Sequence, residues 1–354
     1  MKKVFLVIPN LGIGGAEHLV LELAKGLDKK KFKVIIVCLY DKISDEYDIS
    51  DLLGIEVIRL RKKRGVDLLI ISRMIKLFIL QRPDVVHTHL YAAPYVLLPA
   101  ILSSCKNRYH TVHSLAAFEL SHLKRKIMKV LYRYFKFQPV AISDSLVTDI
   151  ADLYGLAQSS VILIRNGINT SSFMTPRRHH NGINIISIGR LSKMKNHILI
   201  LEAMKLALKV NPKLKLSIAG EGPERINLEN YIKIHRLSSR VKLLGNREDI
   251  PSLLSNSDMY ISTSLVEGLP LSILEAMSNS LPIIATPAGG VVDIVNEGNG
   301  IVTSHKANNV AMAILRFSID KELRTKYGKK SLEIAREFDI KIMISNYEAL
   351  YAKK

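Results

Sequence analysis

The stretch Glu267-Gly-Leu-Pro-Leu-Ser-Ile-Leu-Glu275 sets two carboxylates eight positions apart, one on a loop and one on the helix that follows. Gly268 and Pro270 stop a helix from beginning earlier, and Pro270 suits a first turn, where its missing N–H costs nothing. The apolar spacing from Leu271 to Asn279 is helical. Glu267 therefore stands before a helix N-terminus, beside backbone N–H groups such as those of Leu271 and Ser272 that favour an anion. At ~1.5 Å per residue, Glu275 lies only about 6 Å further along. Amides for a phosphate, flanked by carboxylates able to grip hydroxyls, describe a site for a sugar nucleotide. The plainer alternative is an exposed Glu267 ahead of an ordinary helix, with Glu275 on its solvated side.

Outward from this segment, β-branched runs alternate with longer amphipathic ones. Predicted strands in the first half are Val4–Ile8, Val34–Leu39, Glu56–Ile58, Val85–His87, Arg108–Val112 and Pro139–Ile142. A second series comprises Ile183–Ile188, Lys215–Ala219, Val241–Leu243, Met259–Ser262, Pro282–Ala285 and Ile301–Thr303. Helical patterns at Glu17–Leu27, Leu68–Leu80, Ile198–Val210 and Val310–Phe317 fill most gaps. The alternation predicts an α/β chain of parallel sheets wrapped by helices on both faces. The polar, turn-rich run Asn166–Gly182 divides the two series. Two doubly wound, Rossmann-like domains are expected, over residues 1–170 and 180–337, with a helical tail in 338–354. Ligands of such sheets bind at the carboxyl ends of the strands, so two facing domains would share an inter-domain cleft.

With 354 residues the chain can bury two cores, and 48% apolar against 23% charged residues is the balance of a soluble globular protein. Two cysteines, Cys38 and Cys105, sit in apolar surroundings, which points to a reducing compartment rather than a disulfide framework. The opening apolar run ends at Pro9, too short for a signal peptide. Candidate spanning stretches are broken by Arg73 and Lys76 or by Pro94 and Pro99. The expected location is cytoplasmic or on a membrane face. A formal charge of +19 calls for an anionic partner. One basic cluster is Arg59-Leu-Arg-Lys-Lys-Arg64. The other runs from His122 to Lys136, where Leu123, Ile127, Val130, Leu131 and Tyr134 share a helical face flanked by cations. That pattern fits a helix lying on an anionic membrane surface, or an amphipathic helix on a sheet with a solvated basic side. Nucleic acid is not an expected partner: no zinc module, RNP-like aromatic pair or helix-turn-helix occurs.

Further candidates lie at strand ends. Asn10-Leu-Gly-Ile-Gly-Gly15 follows the first strand; it is neither a P-loop nor the dinucleotide fingerprint, since Glu17 stands where a third glycine would be. After the strand ending at Ile188, Arg190 and Lys195 combine a planar fork with a point charge, a pair suited to a diphosphate, with Lys193 as competitor. His110 and His113 bracket the end of another strand, and His87 and His89 share one strand face. With Cys105 nearby a zinc site comes to mind, but the spacings match no common one, and no metal or other cofactor is expected.

Taken with Gly-Gly-Ala-Glu17, Gly-Arg190-Leu followed by Lys195, and Gly220-Glu-Gly-Pro223, the Glu267-x7-Glu275 element resembles retaining glycosyltransferases of the GT-B fold, and most closely glycosyltransferase family 4. The resemblance covers nearly the whole chain. It implies that Arg190, Lys195 and the Leu271 and Ser272 amides hold a donor diphosphate, and that Glu275 grips the ribose. Glu267 and His113 would face the transferred sugar, with Gly14 and Gly15 toward the donor phosphates or the acceptor. It also implies that the tail helix crosses back to the first domain. Pro287-Ala-Gly-Gly-Val-Val-Asp293 departs from the family's Gly-Gly-Val-Pro-Glu. The expected reaction is retaining and metal-independent. A hexose or N-acetylhexosamine would pass from a UDP-linked nucleotide sugar to a lipid-linked saccharide acceptor, as in capsule or O-antigen polysaccharide assembly at the inner membrane face. A non-catalytic accessory subunit of the same fold and a sugar-nucleotide epimerase are the alternatives.

Overall fold

Runs such as Val4–Ile8 and Ile35–Val37 are apolar on both faces, the composition of strands covered on both sides, and each of their side chains is fully buried. In the computed structural model the described residues are 1–12, 14–41, 54–63, 65, 67, 69–175 and 182–353. Ile13 of the glycine loop, Arg64 of the first basic cluster, Leu68, residues 176–181 of the dividing run and Lys354 lie outside them.

Thirteen strands form among the described residues: β1 (Lys2–Ile8), β2 (Phe32–Cys38), β3 (Glu56–Arg59), β4 (Val85–His89), β5 (Asn107–Val112), β6 (Phe137–Ala141), β7 (Ile162–Leu163), β8 (Ile183–Ile188), β9 (Leu214–Ala219), β10 (Val241–Gly245), β11 (Met259–Ser262), β12 (Ile283–Ala285) and β13 (Gly300–Val302). They make two sheets, ordered β3-β2-β1-β4-β5-β6-β7 and β10-β9-β8-β11-β12-β13. Neighbours run parallel, with registers such as Val4 opposite Val34 and Val85, and Tyr260 opposite Ile186. In each sheet the order reverses once, between β1 and β4 and between β8 and β11. At such a switch point the connections leave in opposite directions and open a crevice at the strand ends.

The chain divides into two compact units, Met1–Gly167 with Ile340–Lys354, and Ile168–Asp339. The first core joins β1 and β2 to Leu19 and Leu23 of the helix Gly15–Gly26, and to Met343, Tyr347 and Tyr351 of the helix Ile340–Ala352. That C-terminal helix also carries buried polar links: Tyr351 Oη lies 2.5 Å from His87 Nδ1, and Tyr347 Oη 3.2 Å from Thr111 Oγ1. The second core joins Ile185, Leu216 and Ile261 to Leu201 and Met204 of the helix His197–Ala207, and to Ile314 and Phe317 of the helix Ala307–Ile319. Its two ends are tied, with Ile168 bridged to Asp339 and Thr170 Oγ1 donating to Asp339 Oδ2 at 2.5 Å.

Two sequence expectations change. Strand β7 was not anticipated, because two residues carry no readable period. In the basic helix His122–Tyr134, Leu131 is buried with Met128 and Tyr132, while Leu123, Ile127, Val130 and Tyr134 are exposed. Leu131 sits at the edge of the apolar arc and turns toward the sheet. The helix therefore has two apolar faces, one packed and one bare. No helix among the described residues is long and apolar enough to cross a membrane.

Candidate active site

At the switch point of the second unit, the loop after β8 is held by close backbone approach. Gly189 N–H donates to the Ala219 carbonyl and Leu191 N–H to that of Glu221, each at 2.9 Å. Gly220 has φ +139°, and a Cβ there would run into the Gly189 carbonyl. Only glycine fits so close a pass. Gly220 thus shapes the loop, and Arg190 emerges from it exposed to solvent. Lys193 also points to solvent, whereas Lys195 is half-buried and turned inward. The two lysines thus differ in setting, Lys193 in solvent and Lys195 against the loop that carries Glu267.

Lys195 Nζ lies 2.5 Å from Glu267 Oε1, with the Glu267 side chain only 11% exposed. Ser264 Oγ donates to the same oxygen at 2.6 Å, and Ser264 is itself buried. Leu265 N–H donates to the Met194 carbonyl and Thr263 Oγ1 to that of Asn196, each at 2.8 Å, so the two loops are one assembly. His305 Nε2 lies 3.1 Å from the Ser264 carbonyl oxygen. Both contacts on Glu267 fall on Oε1, which leaves the other oxygen to a ligand. A carboxylate accepting a charge-assisted bond and a hydroxyl on one oxygen is fixed in direction.

Past Glu267, Pro270 caps the helix Leu271–Ser278 in an extended conformation with φ −74°. The first-turn amides, those of Leu271 and Ser272, have no carbonyl to reach within the helix. Ser272 Oγ lies 2.9 Å from the hydroxyl of Tyr260 on β11. Glu275 sits one turn in, half-buried, and desolvation pushes its carboxyl up to about 7. The unit thus gathers Arg190, Lys195, Glu267, Ser272 and Glu275 around the carboxyl ends of β8 and β11. An anion at the amides and cations, with carboxylates free for hydroxyls, is what this geometry can hold.

In the first unit, Gly14 caps the helix Gly15–Gly26 with extended backbone at φ −179°. A side chain on Gly14 would meet the Glu17 carboxylate, whose pKa burial raises. An acidic group there suits hydroxyls better than phosphates. His113 follows β5, half-buried, and its backbone N–H donates to Glu119 Oε2 at 2.8 Å. Burial, with His110 beside it, pushes the His113 imidazole down to about 3, and burial raises Glu119 to about 7. His113 Nε2 lies 3.1 Å from His89 Nδ1. Both ring nitrogens of His87 are taken, by Tyr351 and by Thr111 at 2.7 Å. The described residues hold no group of three ligands able to bind a metal.

Ser264, His305, Glu119 and the pairing of His89 with His113 were not anticipated. Ser264 stands three residues before Glu267, a spacing at which a hydroxyl can reach a loop carboxylate. The others are contacts across space without a local signal.

Comparison with known proteins is consistent along the chain. Residues 13–172 match the model of Glycosyltransferase Family 4, and residues 174–333 that of Glycosyl transferases group 1. The chain is similar to the UDP-Gal:alpha-D-GlcNAc-diphosphoundecaprenol alpha-1,3-galactosyltransferase of Escherichia coli, at 25% identity over 96% of this chain and 94% of that protein. It is also similar to the N-acetyl-alpha-D-glucosaminyl L-malate synthase of Bacillus anthracis, at 25% identity over 80% and 78%. Among solved structures, HepE of Anabaena in complex with UDP and glucose superposes with a TM-score of 0.85 at 20% identity, covering 100% of both chains, a likeness of GT-B fold. With both halves matched in order and two Rossmann-like units in place, the chain belongs to glycosyltransferase family 4.

Proposed function

We propose that this enzyme is a retaining, metal-independent transferase that moves a hexose or N-acetylhexosamine from a UDP-linked donor to a lipid-linked saccharide. The observation that carries the reading is the Lys195–Glu267–Ser264 assembly beside the open amides of Leu271 and Ser272. The similarity to the Escherichia coli galactosyltransferase, named for a UDP-linked donor and a diphosphoundecaprenol-linked sugar, supports donor and acceptor class.

In this reading Arg190, Lys195 and the two amides stabilise the charge that accumulates on the leaving diphosphate, the task a divalent metal would otherwise perform. Glu275 accepts hydrogen bonds from the ribose. Glu267 holds a sugar hydroxyl and keeps the ring near its cationic transition state, and His113 donates a hydrogen bond to the same sugar. The leaving phosphate helps take the acceptor's proton, on the face the donor leaves. Gly14 and Gly15 border the acceptor. The bare apolar stripe Leu123, Ile127, Val130 and Tyr134, flanked by Lys126, Lys129 and Arg133, rests on an anionic membrane surface in polysaccharide assembly.

The test is nucleotide release from a panel of sugar nucleotides with a lipid-linked acceptor in excess EDTA, beside Glu267→Ala. Acceptor-dependent UDP release that survives EDTA and collapses in the variant is the expected result. UDP binding without release from any donor would favour an accessory subunit, and acceptor-independent conversion of the donor an epimerase.

A further inference from the structure

His89 ends β4 and is fully buried, and His113 begins the turn after the neighbouring strand β5. Their rings stand 5.3 Å apart, and His89 Nδ1 faces His113 Nε2 at 3.1 Å. Burial drives both imidazoles below their usual range, so each ring is neutral and carries one hydrogen. The contact between them holds one of those hydrogens, and which ring supplies it is fixed by the surroundings rather than by the contact itself.

If His113 donated from Nε2, His89 would carry its hydrogen on Nε2. That atom is buried and without a partner. His87 stacks beside His89 at 4.2 Å, but both of its nitrogens are engaged, so it offers none. A buried donor with nothing to donate to is the rarer and costlier arrangement. If His89 donates from Nδ1, its Nε2 is a bare lone pair and every hydrogen of the pair is used or free. His113 Nε2 then accepts, and the His113 hydrogen sits on Nδ1.

We infer that His89 is a positioning residue that fixes His113 in its Nδ1–H tautomer, so that His113 meets the sugar as a neutral hydrogen-bond donor. The inference rests on the proposed role of His113 toward the transferred sugar. Glu119 completes the hold, accepting the backbone N–H groups of His113 and Ser114 at 2.8 and 3.3 Å. The imidazole is then gripped at its far nitrogen and at its own backbone. With Nε2 occupied, His113 serves as a donor and not as a base.

The tautomer is read directly from imidazole nitrogen-15 shifts correlated with ring protons in the whole, labelled protein at pH 7. The Nδ1–H pattern for His113 is expected; an Nε2–H pattern or an imidazolium overturns the inference. His89→Asn keeps an N–H close to where Nδ1 stands, and should keep both the tautomer and kcat within about threefold. His89→Leu should lower kcat about tenfold to a hundredfold with the donor KM nearly unchanged. Equal activity of the Leu and Asn variants overturns the inference. Should the Leu variant fail to fold, the wild-type and Asn spectra decide. His113→Ala tests the underlying role separately: full activity there removes that role, whereas a wrong tautomer with an inactive His113→Ala removes only the inference.

Discussion

The two sheets have the same strand order through their switch points and opposite electrostatics at the strand ends beside them. At the carboxyl ends of β8 and β11 stand the ions Arg190, Lys195 and Glu267, with Lys195 and Glu267 in direct contact and the raised carboxyl of Glu275 one helical turn further on. At those of β4 and β5 stand imidazoles held neutral by burial, paired with one another and braced by Glu119. Fold alone therefore does not set the chemistry of such a crevice. On the proposed reading, the charged set serves the leaving diphosphate, where charge accumulates, and the neutral imidazoles orient a sugar without a cation crowding its developing positive charge.

The sharpest way to break the comparison is Glu267→Gln, which keeps shape and removes charge. It should lower kcat about 10³-fold, the loss typical of a preorganised electrostatic contact, with UDP affinity little changed in calorimetry. A drop below tenfold would mean that the ionic site is not the reacting one. Next comes Arg190→Ala. Arg190 is exposed, so folding should be untouched while UDP binding weakens about tenfold to a hundredfold, the worth of a charge-assisted bond.

The third prediction concerns pH. In its proposed role Glu275 accepts both ribose hydroxyls only when ionised, and its carboxyl in the free protein is raised to about 7 by desolvation. UDP affinity should be full above pH 8 and fall toward tenfold per unit as pH drops below 7, because binding must expel a proton. Glu275→Gln should bind more weakly and flatten that profile; a wild-type profile that is flat between pH 5.5 and 8.5 removes the assignment. The smallest effect sharpens the contrast from the other unit. Tyr351→Phe strands His87 Nδ1 in a buried site, at about 1–3 kcal/mol of stability. Thermal melting should register the loss, while UDP binding by the second unit stays as it was.

Much of this was legible in residue order. Strands such as Val4–Ile8 declare themselves by β-branched, doubly apolar runs, and Gly268 with Pro270 marks where a helix can begin. Arg190, Lys195 and Glu267 stand out as candidates because loops at strand ends carry few residue types able to meet a diphosphate or a hydroxyl. Which atoms touch was another matter. The Lys195–Glu267 contact spans 72 residues and the His89–His113 contact 24, and periodicity assigns faces rather than partners. Leu131 illustrates the same limit within one helix: its position on the apolar arc was readable, its burial depended on the neighbouring elements.

The helix Ile340–Ala352 belongs to the first core yet follows the whole of the second unit in the chain. During synthesis the first sheet must therefore wait, with its surface around Leu19, Leu23 and Phe32 uncovered, while residues 168–339 are made. The second unit is contiguous and can close on its own as it emerges. Maturation then runs out of sequence order, the later segment folding before the earlier one is complete. A released chain ending at residue 339 would hold every element of the second unit and a first unit still able to recruit a chaperone.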